Sequence, residues 1–299
     1  MGSVIHALRY WLSDHPSIIG FRWSHSQSWG STWSFLITSI AFYVLLSLFL
    51  HLVLLLFQRR GPRPVPLGPI PALHSLFMAS VSLTIFFGTL FSVIAEIRET
   101  RWIWSRSKTP FQWLLCFPLG TRPTGRVFFW SYVFYLSRFI HVQRTFFTIL
   151  RRRKLTFFRL FHHSILICMS FLWLEFSQSF QLLAILLTTL VHSFVYGYRF
   201  WIEIGMRNAC FPLVANCHIL LLASNAVCHV GVLMLHFYKG GCNGIGAWLF
   251  NSIMNCALLL LFLNFYVNMH LNRSRSQSQS RSRSRVNDDA ASTSRTKVS

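Results

Sequence analysis

The sequence predicts an all-α polytopic membrane protein. Hydrophobic residues make up 53% of the 299 positions and charged residues only 12%, which is too little charge to cover a soluble domain of this size. Apolar segments of about 20 residues, long enough to cross a bilayer as helices, recur along the chain. We expect seven transmembrane helices, over residues 34–57, 75–95, 127–150, 155–175, 180–202, 210–237 and 245–269.

The segments outside these spans differ in composition from the membrane domain, which we place at residues 34–270. Residues 1–33 are mixed and lack the short apolar core and small-residue cleavage site of a signal peptide, so we expect an N-terminal non-cytosolic segment. The Pro/Gly-rich stretch QRRGPRPVPLGPIPALH (58–74) cannot continue a helix. Residues 271–299 are rich in Arg and Ser, which predicts a disordered cytosolic tail.

The net charge of +21 is concentrated at the ends of apolar segments and in the tail. This pattern follows the positive-inside rule and favours contact with anionic membrane lipid over nucleic acid. With seven spans, Arg59, Arg60, the 151–154 cluster and the tail share one side, so we expect a lumenal N-terminus and a cytosolic C-terminus. The arginines of the 98–126 loop conflict with this orientation.

Scarce carboxylates and the cysteine spacing exclude several kinds of site. The chain has seven acidic residues, two of them in the tail, so neither a carboxylate-rich metal site nor paired-carboxylate catalysis is expected. The seven cysteines show no CxxC or zinc-binding spacing, and no metal is predicted. Cys116 and Cys242 both fall in predicted non-cytosolic loops, where a disulfide between them is a hypothesis.

Four of the 13 histidines fall on three consecutive spans at a similar depth. At ~1.5 Å per residue, His162 lies about 10 Å and His192 about 15 Å from the cytosolic ends of antiparallel spans. His141 and His163 lie at the same level. Polar side chains accompany these histidines on one face of each span. The stripes are Arg138, His141 and Thr145; Arg159, His162 and His163; and Thr188, His192, Tyr196 and Arg199.

Polar stripes on membrane helices normally face the bundle interior or a wet cavity, because lipid exposure is costly. We therefore predict a chamber open to the cytosol; interhelical hydrogen bonding alone is the alternative. A neutral imidazole there is a competent nucleophile or base. A basic cluster at the mouth suits a polyphosphate group, although it could serve only to fix topology. Its members are Arg151, Arg152, Arg153 and Lys154. An apolar tunnel beside a phosphate anchor suggests an acyl chain esterified to a nucleotide-like carrier.

Two runs, SRFIHVQRTFFTILRRRKLTFFRLFHHS (137–164) and LLTTLVHSFVYGYRFW (186–201), resemble the elongation-of-fatty-acids (ELO) family of endoplasmic-reticulum condensing enzymes. The run YWLSDHPSIIGFRWSHSQSWGSTWSF (10–35) is similar to its plant 3-like branch, and the likeness covers most of residues 9–270. It implies seven helices enclosing an acyl-chain tunnel and a very-long-chain 3-oxoacyl-CoA synthase. Acyl-CoA and malonyl-CoA would be the substrates, with no cofactor, and other elongase-complex enzymes would be possible partners.

The resemblance also implies roles for individual residues. In the HxxHH box, His162 matches the acyl-accepting nucleophile and His163 its companion, and in the HxxMY box, His192 and Tyr196 match the His and the Tyr. The substrate-binding positions are Arg138, His141, Thr145, Arg151, Arg152, Arg153, Lys154, Arg159 and Tyr196.

This sequence departs from the family boxes at several positions. The first His of HxxHH is Arg159, and KxxExxDT reads Arg138, His141, Arg144 and Thr145, so both carboxylates are missing. Thr188, Val195 and Arg199 replace an Asn, a Met and a Tyr of the second box. A catalytically impaired relative, which binds acyl-CoA or modulates the elongase complex, is therefore the alternative. A di-iron desaturase would need about eight histidines in boxes that are not present here.

Overall fold

A computed structural model describes residues 2–56, 65–99, 109–152, 155–206, 211–261, 263, 264 and 267. Regular secondary structure in these residues is helical, as predicted, with one isolated bridge between Arg22 and Thr124. The helices are α1 (Gly2–Arg9), α2 (Pro16–Ile19), α3 (Trp33–Leu56), α4 (Ile70–Arg98), α5 (Pro110–Leu115), α6 (Arg126–His141), α7 (Gln143–Leu150), α8 (Phe157–Glu175), α9 (Gln181–Glu203), α10 (Phe211–Lys239) and α11 (Ile245–Leu261). A π-helical turn, Tyr10–Asp14, joins α1 to α2.

Five helices in the described residues are long and apolar enough to cross a membrane: α3, α4, α8, α9 and the Ile219–Tyr238 part of α10. Helix α11 is apolar but shorter. The predicted span 127–150 consists of two consecutive helices, α6 and α7. The helical hydrogen bonds are interrupted where the Thr145 amide donates to the Val142 carbonyl, at 2.9 Å, a tighter i to i−3 bond. Val142 itself keeps helical angles.

The chain divides into a compact unit of residues 1–252 and a second unit of residues 253–299. All contacts reported below belong to the first unit. The predicted tail at 271–299 lies outside the described residues, as do Arg59, Arg60, Arg153 and Lys154. The predicted domain boundaries stay predictions.

Local sequence signals precede several of the helices. Thr109 accepts a hydrogen bond from the Gln112 amide, at 3.3 Å, and so caps α5 ahead of Pro110. Gly125 has a φ of 91° directly before α6, an angle that residues with a side chain rarely adopt. These signals fix where α5 and α6 begin.

Helix α6 lies against α4, α8 and α9 at the centre of the bundle. Its Tyr135 is fully buried, and its Phe134 ring stacks on Trp173 of α8 with centroids 5.6 Å apart. This aromatic packing holds α6 and α8 side by side, and so fixes the positions of polar residues further along both helices.

The N-terminal segment folds over one end of this bundle. The Trp130 indole nitrogen donates to the Leu12 carbonyl at 2.8 Å, and the Tyr135 hydroxyl donates to the Gly30 carbonyl at 2.8 Å. The Gly125 amide donates to the Phe21 carbonyl at 2.8 Å. Residues 1–33 are therefore part of the folded unit, which their mixed composition did not predict.

The hypothesised disulfide is present between Cys116 and Cys242, whose Cα atoms are 5.2 Å apart. It joins the segment after α5 to the loop between α10 and α11. The Asn243 amide next to it donates to the Phe117 carbonyl at 2.8 Å. The same loop meets the start of α9, because the Ser179 amide donates to the Asn243 carbonyl at 3.2 Å.

Arg126 is the centre of an ion cluster at this same end of the bundle. It is 3% exposed, and its guanidinium lies 3.4 Å from a carboxylate oxygen of Asp14, 3.5 Å from one of Glu96 and 2.9 Å from one of Glu99. Arg126 belongs to the loop whose arginines conflict with the predicted orientation. Three carboxylates surround its charge. Arg126 should therefore not be counted as an unpaired cation when the orientation of the chain is predicted from the charges of its loops.

Gly88 lies where α4 touches the Trp130 ring, and Gly88→Ala is expected to destabilise the protein by about 1–3 kcal/mol or more. An added Cβ would lie 2.1 Å from Cε2 of Trp130, which cannot retreat because its nitrogen is bonded to Leu12. Thermal unfolding of purified protein measures the effect. Gly231→Ala is the matched control, since its Cβ would meet only Leu115 at 3.7 Å. Equal melting temperatures for the two variants would contradict the prediction.

Candidate active site

Four imidazoles meet inside the first unit, carried by three helices. The ring centroid of His141, at the end of α6, is 4.7 Å from that of His163 on α8 and 5.4 Å from that of His192 on α9. The rings of His162 and His163 are 5.4 Å apart. These four residues are called the histidine cluster below. The three polar stripes that the sequence predicted therefore face one another.

The histidine cluster has an enclosed half and a more accessible half. His141 and His163 are 5% and 6% exposed, whereas His162 and His192 are only half-buried. In the described residues, no group of three or more His, Cys, Asp or Glu side chains is placed to hold a metal ion.

Tyr196 and Arg138 close one side of the cluster, and each is 1% exposed. The Tyr196 ring is 5.5 Å from the His141 ring and 5.9 Å from the His192 ring. A terminal nitrogen of Arg138 lies 3.4 Å from Nδ1 of His192, and its guanidinium carbon lies 4.1 Å from the centre of the Phe134 ring. A fixed positive charge therefore touches the second-box imidazole.

Thr145 meets a residue that the sequence analysis did not select. The hydroxyls of Thr145 and Tyr43 share a hydrogen bond of 2.9 Å, and the Tyr43 ring is 6.3 Å from the His163 ring. Tyr43 is 3% exposed and lies on α3. Tyr43 is the one tyrosine of the predicted span 34–57, and this was the available signal, but its contact with α7 and α8 is not visible in the sequence.

Arg159 stands one turn before His162 and His163 on α8, at the position where the HxxHH box has its first His. It is half-buried and acts electrostatically on both His163 and Tyr43. The His162 ring stacks on Phe158, with centroids 5.7 Å apart. The box therefore contributes two imidazoles and one cation.

The described members of the basic cluster are Arg151 and Arg152, which directly follow α7. Arg151 contacts the last residue of α9. Arg151 donates two hydrogen bonds to the Glu203 carboxylate, at 2.8 and 2.5 Å, and these bonds raise the pKa of the Arg151 guanidinium. Arg152 is half-buried with a φ of 54°. Arg153 and Lys154 lie outside the described residues.

A cavity of about 430 Å³ opens between the start of α4, helix α7 and the end of α9, a size typical of small-molecule sites. Three arginines and several hydrogen-bonding groups line this arginine-lined cavity. The polar lining residues are His74, Ser75, Arg144, Thr148, Arg151, Tyr198, Arg199 and Glu203. The lining carries more positive than negative charge, and so fits an anionic ligand.

His74 and Arg199 connect the arginine-lined cavity to the histidine cluster. The His74 ring lies 6.4 Å from that of Tyr196, and its Nε2 is 3.2 Å from the Ile140 carbonyl oxygen. The Arg199 guanidinium carbon lies 5.9 Å from the centre of the Tyr196 ring. The sequence analysis gave His74 no role; its position at the predicted cytosolic end of the second span was the signal that could have found it.

The profile of the family described as ELO: GNS1/SUR4 family matches residues 28–278. This chain belongs to the ELO family. The match includes every member of the histidine cluster and every residue of the arginine-lined cavity. The resemblance read from the two histidine boxes is thereby confirmed at the level of the family.

Several curated relatives of this ELO chain are named as elongases. It is 62% identical over 271 residues to fatty acid elongase 3-like of Arabidopsis thaliana, covering 90% of this chain and 93% of that relative. It is 25% identical over 219 residues to fatty acid elongase A of Dictyostelium discoideum (71% and 75%) and 26% identical over 150 residues to long chain fatty acid elongase 1 of Caenorhabditis elegans (48% and 51%). No solved structure matches the chain.

Proposed function

We propose that this ELO protein is a very-long-chain 3-oxoacyl-CoA synthase, which condenses acyl-CoA with malonyl-CoA in fatty acid elongation. The observation that carries the proposal is the convergence of imidazoles from three helices beside a cavity lined by arginines. Imidazoles can supply a nucleophile, and arginines can bind the phosphates of CoA.

In the first half of the reaction, a ring nitrogen of His162 attacks the thioester carbon of acyl-CoA. The carbon–sulfur bond breaks, and the sulfur leaves with the electron pair and takes a proton. His163, in ring contact with both His162 and His141, positions the attacking ring. The acyl group is then bound to the imidazole nitrogen.

In the second half, malonyl-CoA loses CO₂ and the electron pair stays on the carbon beside its thioester. This carbon attacks the acyl carbon, and the bond from acyl carbon to imidazole breaks. The imidazole takes that electron pair and then a proton, and a 3-oxoacyl-CoA two carbons longer leaves. We assign to His192, half-buried beside Arg138, the role of contacting the thioester.

The arginine-lined cavity is the proposed site for the CoA phosphates. Arg144, Arg151 and Arg199 supply the positive charges, and guanidinium groups bind phosphate oxygens in a two-pronged geometry. Glu203 holds Arg151 through two hydrogen bonds, so an incoming phosphate would replace Glu203 as the partner of Arg151. Arg152, Arg153 and Lys154 follow Arg151 directly in sequence and add three positive charges to this part of the chain.

We place this synthase in the endoplasmic-reticulum membrane with seven spans, taking α6–α7 and α11 as the two spans besides the five long helices. An acyl-chain tunnel would run between these helices. The N-terminus would face the lumen and the C-terminus the cytosol, where other elongase-complex enzymes would act on the product. In support, the disulfide lies near the start of α9 and the cavity at its end, about 33 Å apart at 1.5 Å per residue. Disulfides form in oxidising compartments such as the lumen.

A second candidate is an ELO protein that binds acyl-CoA without transferring the acyl group and modulates the elongase complex. The observation that favours it is Arg159, whose positive charge occupies a box position in place of an imidazole. The two candidates differ in one respect that can be measured, the formation of a covalent acyl intermediate.

Intact-protein mass spectrometry after incubation with a long acyl-CoA tests the proposal. We expect an increase by the mass of one acyl group, its location on His162 by peptide mapping, and its loss in His162→Ala. His6→Ala, an exposed position on α1, is the matched control and should keep the adduct. An unmodified parent protein that still binds acyl-CoA would support the second candidate instead.

A further inference from the structure

Arg138 is a fully buried cation that has no carboxylate partner among the described residues. Only 1% of it is exposed, and it bonds to the Ser137 hydroxyl, at 2.9 and 3.3 Å, and to Nδ1 of His192, at 3.4 Å. All of these partners are uncharged or can become cations. In the part of the chain that the structure describes, no carboxylate forms an ion pair with Arg138.

Two further arginines lie close to the cluster. Arg144 lines the adjacent cavity, and Arg159 lies one turn before His162 and His163 on α8. A buried guanidinium without a counter-ion is unfavourable in a membrane interior, and several cations close together make it more so. We therefore expect the site to favour a ligand that carries a negatively charged group in addition to its CoA phosphates, which the arginine-lined cavity would bind.

Two buried polar atoms near Arg138 also lack a hydrogen-bond partner among the described residues. Within the described residues, nothing forms a hydrogen bond with the Tyr196 hydroxyl or with Nδ1 of His141. The rings of these two residues are 5.5 Å apart, and both lie within 6 Å of the His192 ring. A hydroxyl and a guanidinium on one side of His192 form a donor set suited to an anionic oxygen.

We propose that Arg138 and the Tyr196 hydroxyl bind the carboxylate of the malonyl group and thereby select malonyl-CoA over uncharged acyl-CoAs as the second substrate. This inference rests on the proposed synthase function and adds a specificity site to it. When the carbon–carbon bond to the carboxylate breaks and CO₂ leaves, the negative charge moves to the thioester oxygen of the resulting enolate. The same guanidinium then balances the enolate, so the site holds one negative charge throughout the decarboxylation.

Competition binding to the full-length protein in lipid nanodiscs tests the inference, with malonyl-CoA and acetyl-CoA as probes, because they differ by one carboxylate. The parent should bind malonyl-CoA more tightly. In Arg138→Gln the ratio of the two affinities should fall by about tenfold, the equivalent of one charged hydrogen bond. Arg138→Lys should keep much of the preference, because it keeps the charge. Arg151→Gln is the matched control, which should weaken both ligands equally and leave the ratio unchanged.

Tyr196→Phe keeps the test decisive if Arg138→Gln fails to fold. It removes a hydroxyl that no described residue bonds and keeps the ring packing, and should lower the ratio severalfold. Equal affinities in the parent, or an unchanged ratio in both Arg138→Gln and Tyr196→Phe, would overturn the inference. If the parent forms the acyl adduct on His162 but does not discriminate, only the role of Arg138 is wrong; if it binds neither ligand, the synthase proposal fails too.

Discussion

Yeast cells that lack their own elongases are expected to regain very-long-chain acyl groups when they express this chain, and to lose them with His192→Ala. His192 is half-buried at the accessible side of the histidine cluster, with Arg138 at 3.4 Å and the Tyr196 ring at 5.9 Å. An imidazole that takes part in proton transfer or charge stabilisation contributes about 100-fold or more to a rate. Very-long-chain product in the variant should therefore fall to the background of the empty strain.

The measurement is the chain-length profile of total fatty acids, normalised to the amount of protein in the membrane fraction. Ser193→Ala is the matched control, since Ser193 adjoins His192 on α9 but its hydroxyl donates to the Thr189 carbonyl of the same helix at 2.8 Å. It should rescue like the parent. Rescue by the parent and by His192→Ala to the same extent would show that the acyl-chain change does not need this imidazole. The non-catalytic candidate would then be preferred.

Hydropathy predicted five of the seven expected spans as long helices, because a bilayer leaves little choice. Backbone groups in lipid must bond within their own segment, so a long apolar run such as Trp33–Leu56 becomes a helix. Depth along a helix also follows from residue number, which is how His141, His163 and His192 could be placed at one level. Their ring contacts agree with that placement, while their chemical roles stay predictions.

The contacts that the sequence did not predict depend on how the helices are rotated and on which helices are neighbours. Tyr43 and His74 come from the first two spans, and nothing in those spans shows that they face α7 and α9. The apolar surface of α3 is uniform enough that no face of it stands out in the sequence. The positions of Tyr43 and His74 in the site follow from contacts with residues 66 or more positions away in the sequence.

The contacts of the N-terminal segment with the bundle could not be predicted for a different reason. These contacts are aromatic pairs, such as Phe21 with Tyr132 and Trp23 with Phe171, and hydrogen bonds to backbone carbonyls, such as those from Trp130 and Tyr135. Neither kind of contact leaves a hydrophobic period in residues 1–33. The ion cluster of Arg126 could not be predicted either, because its carboxylates come from two separate places in the chain, Asp14 before α2 and Glu96 with Glu99 at the end of α4. Counting arginines in the 98–126 loop therefore overstated the free positive charge on that side.

Arg126→Met is expected to destabilise the protein by about 3–5 kcal/mol, the cost of leaving a buried charge without its partner. Glu96 is 7% exposed and loses the guanidinium at 3.5 Å. Asp14 loses one of its two cationic partners, so the N-terminal segment is held less firmly against α4 and α6. Thermal unfolding should show a melting temperature lower by roughly 6–20 °C, using ~2–4 °C per kcal/mol for a domain of this size.

Two further variants separate the buried charge from the surface pair. Arg9→Met removes the other partner of Asp14, whose side chain is 33% exposed, and such an exposed pair contributes only about 0–1 kcal/mol. Adding Glu96→Gln to Arg126→Met removes the buried carboxylate that has lost the Arg126 guanidinium and should recover part of the loss, because burial of a charge after one partner is removed is costly. If Arg126→Met melts at the same temperature as Arg9→Met, the stability of the fold does not depend on the contacts of Arg126 with the three carboxylates. Aromatic packing and hydrogen bonds then hold the N-terminal segment.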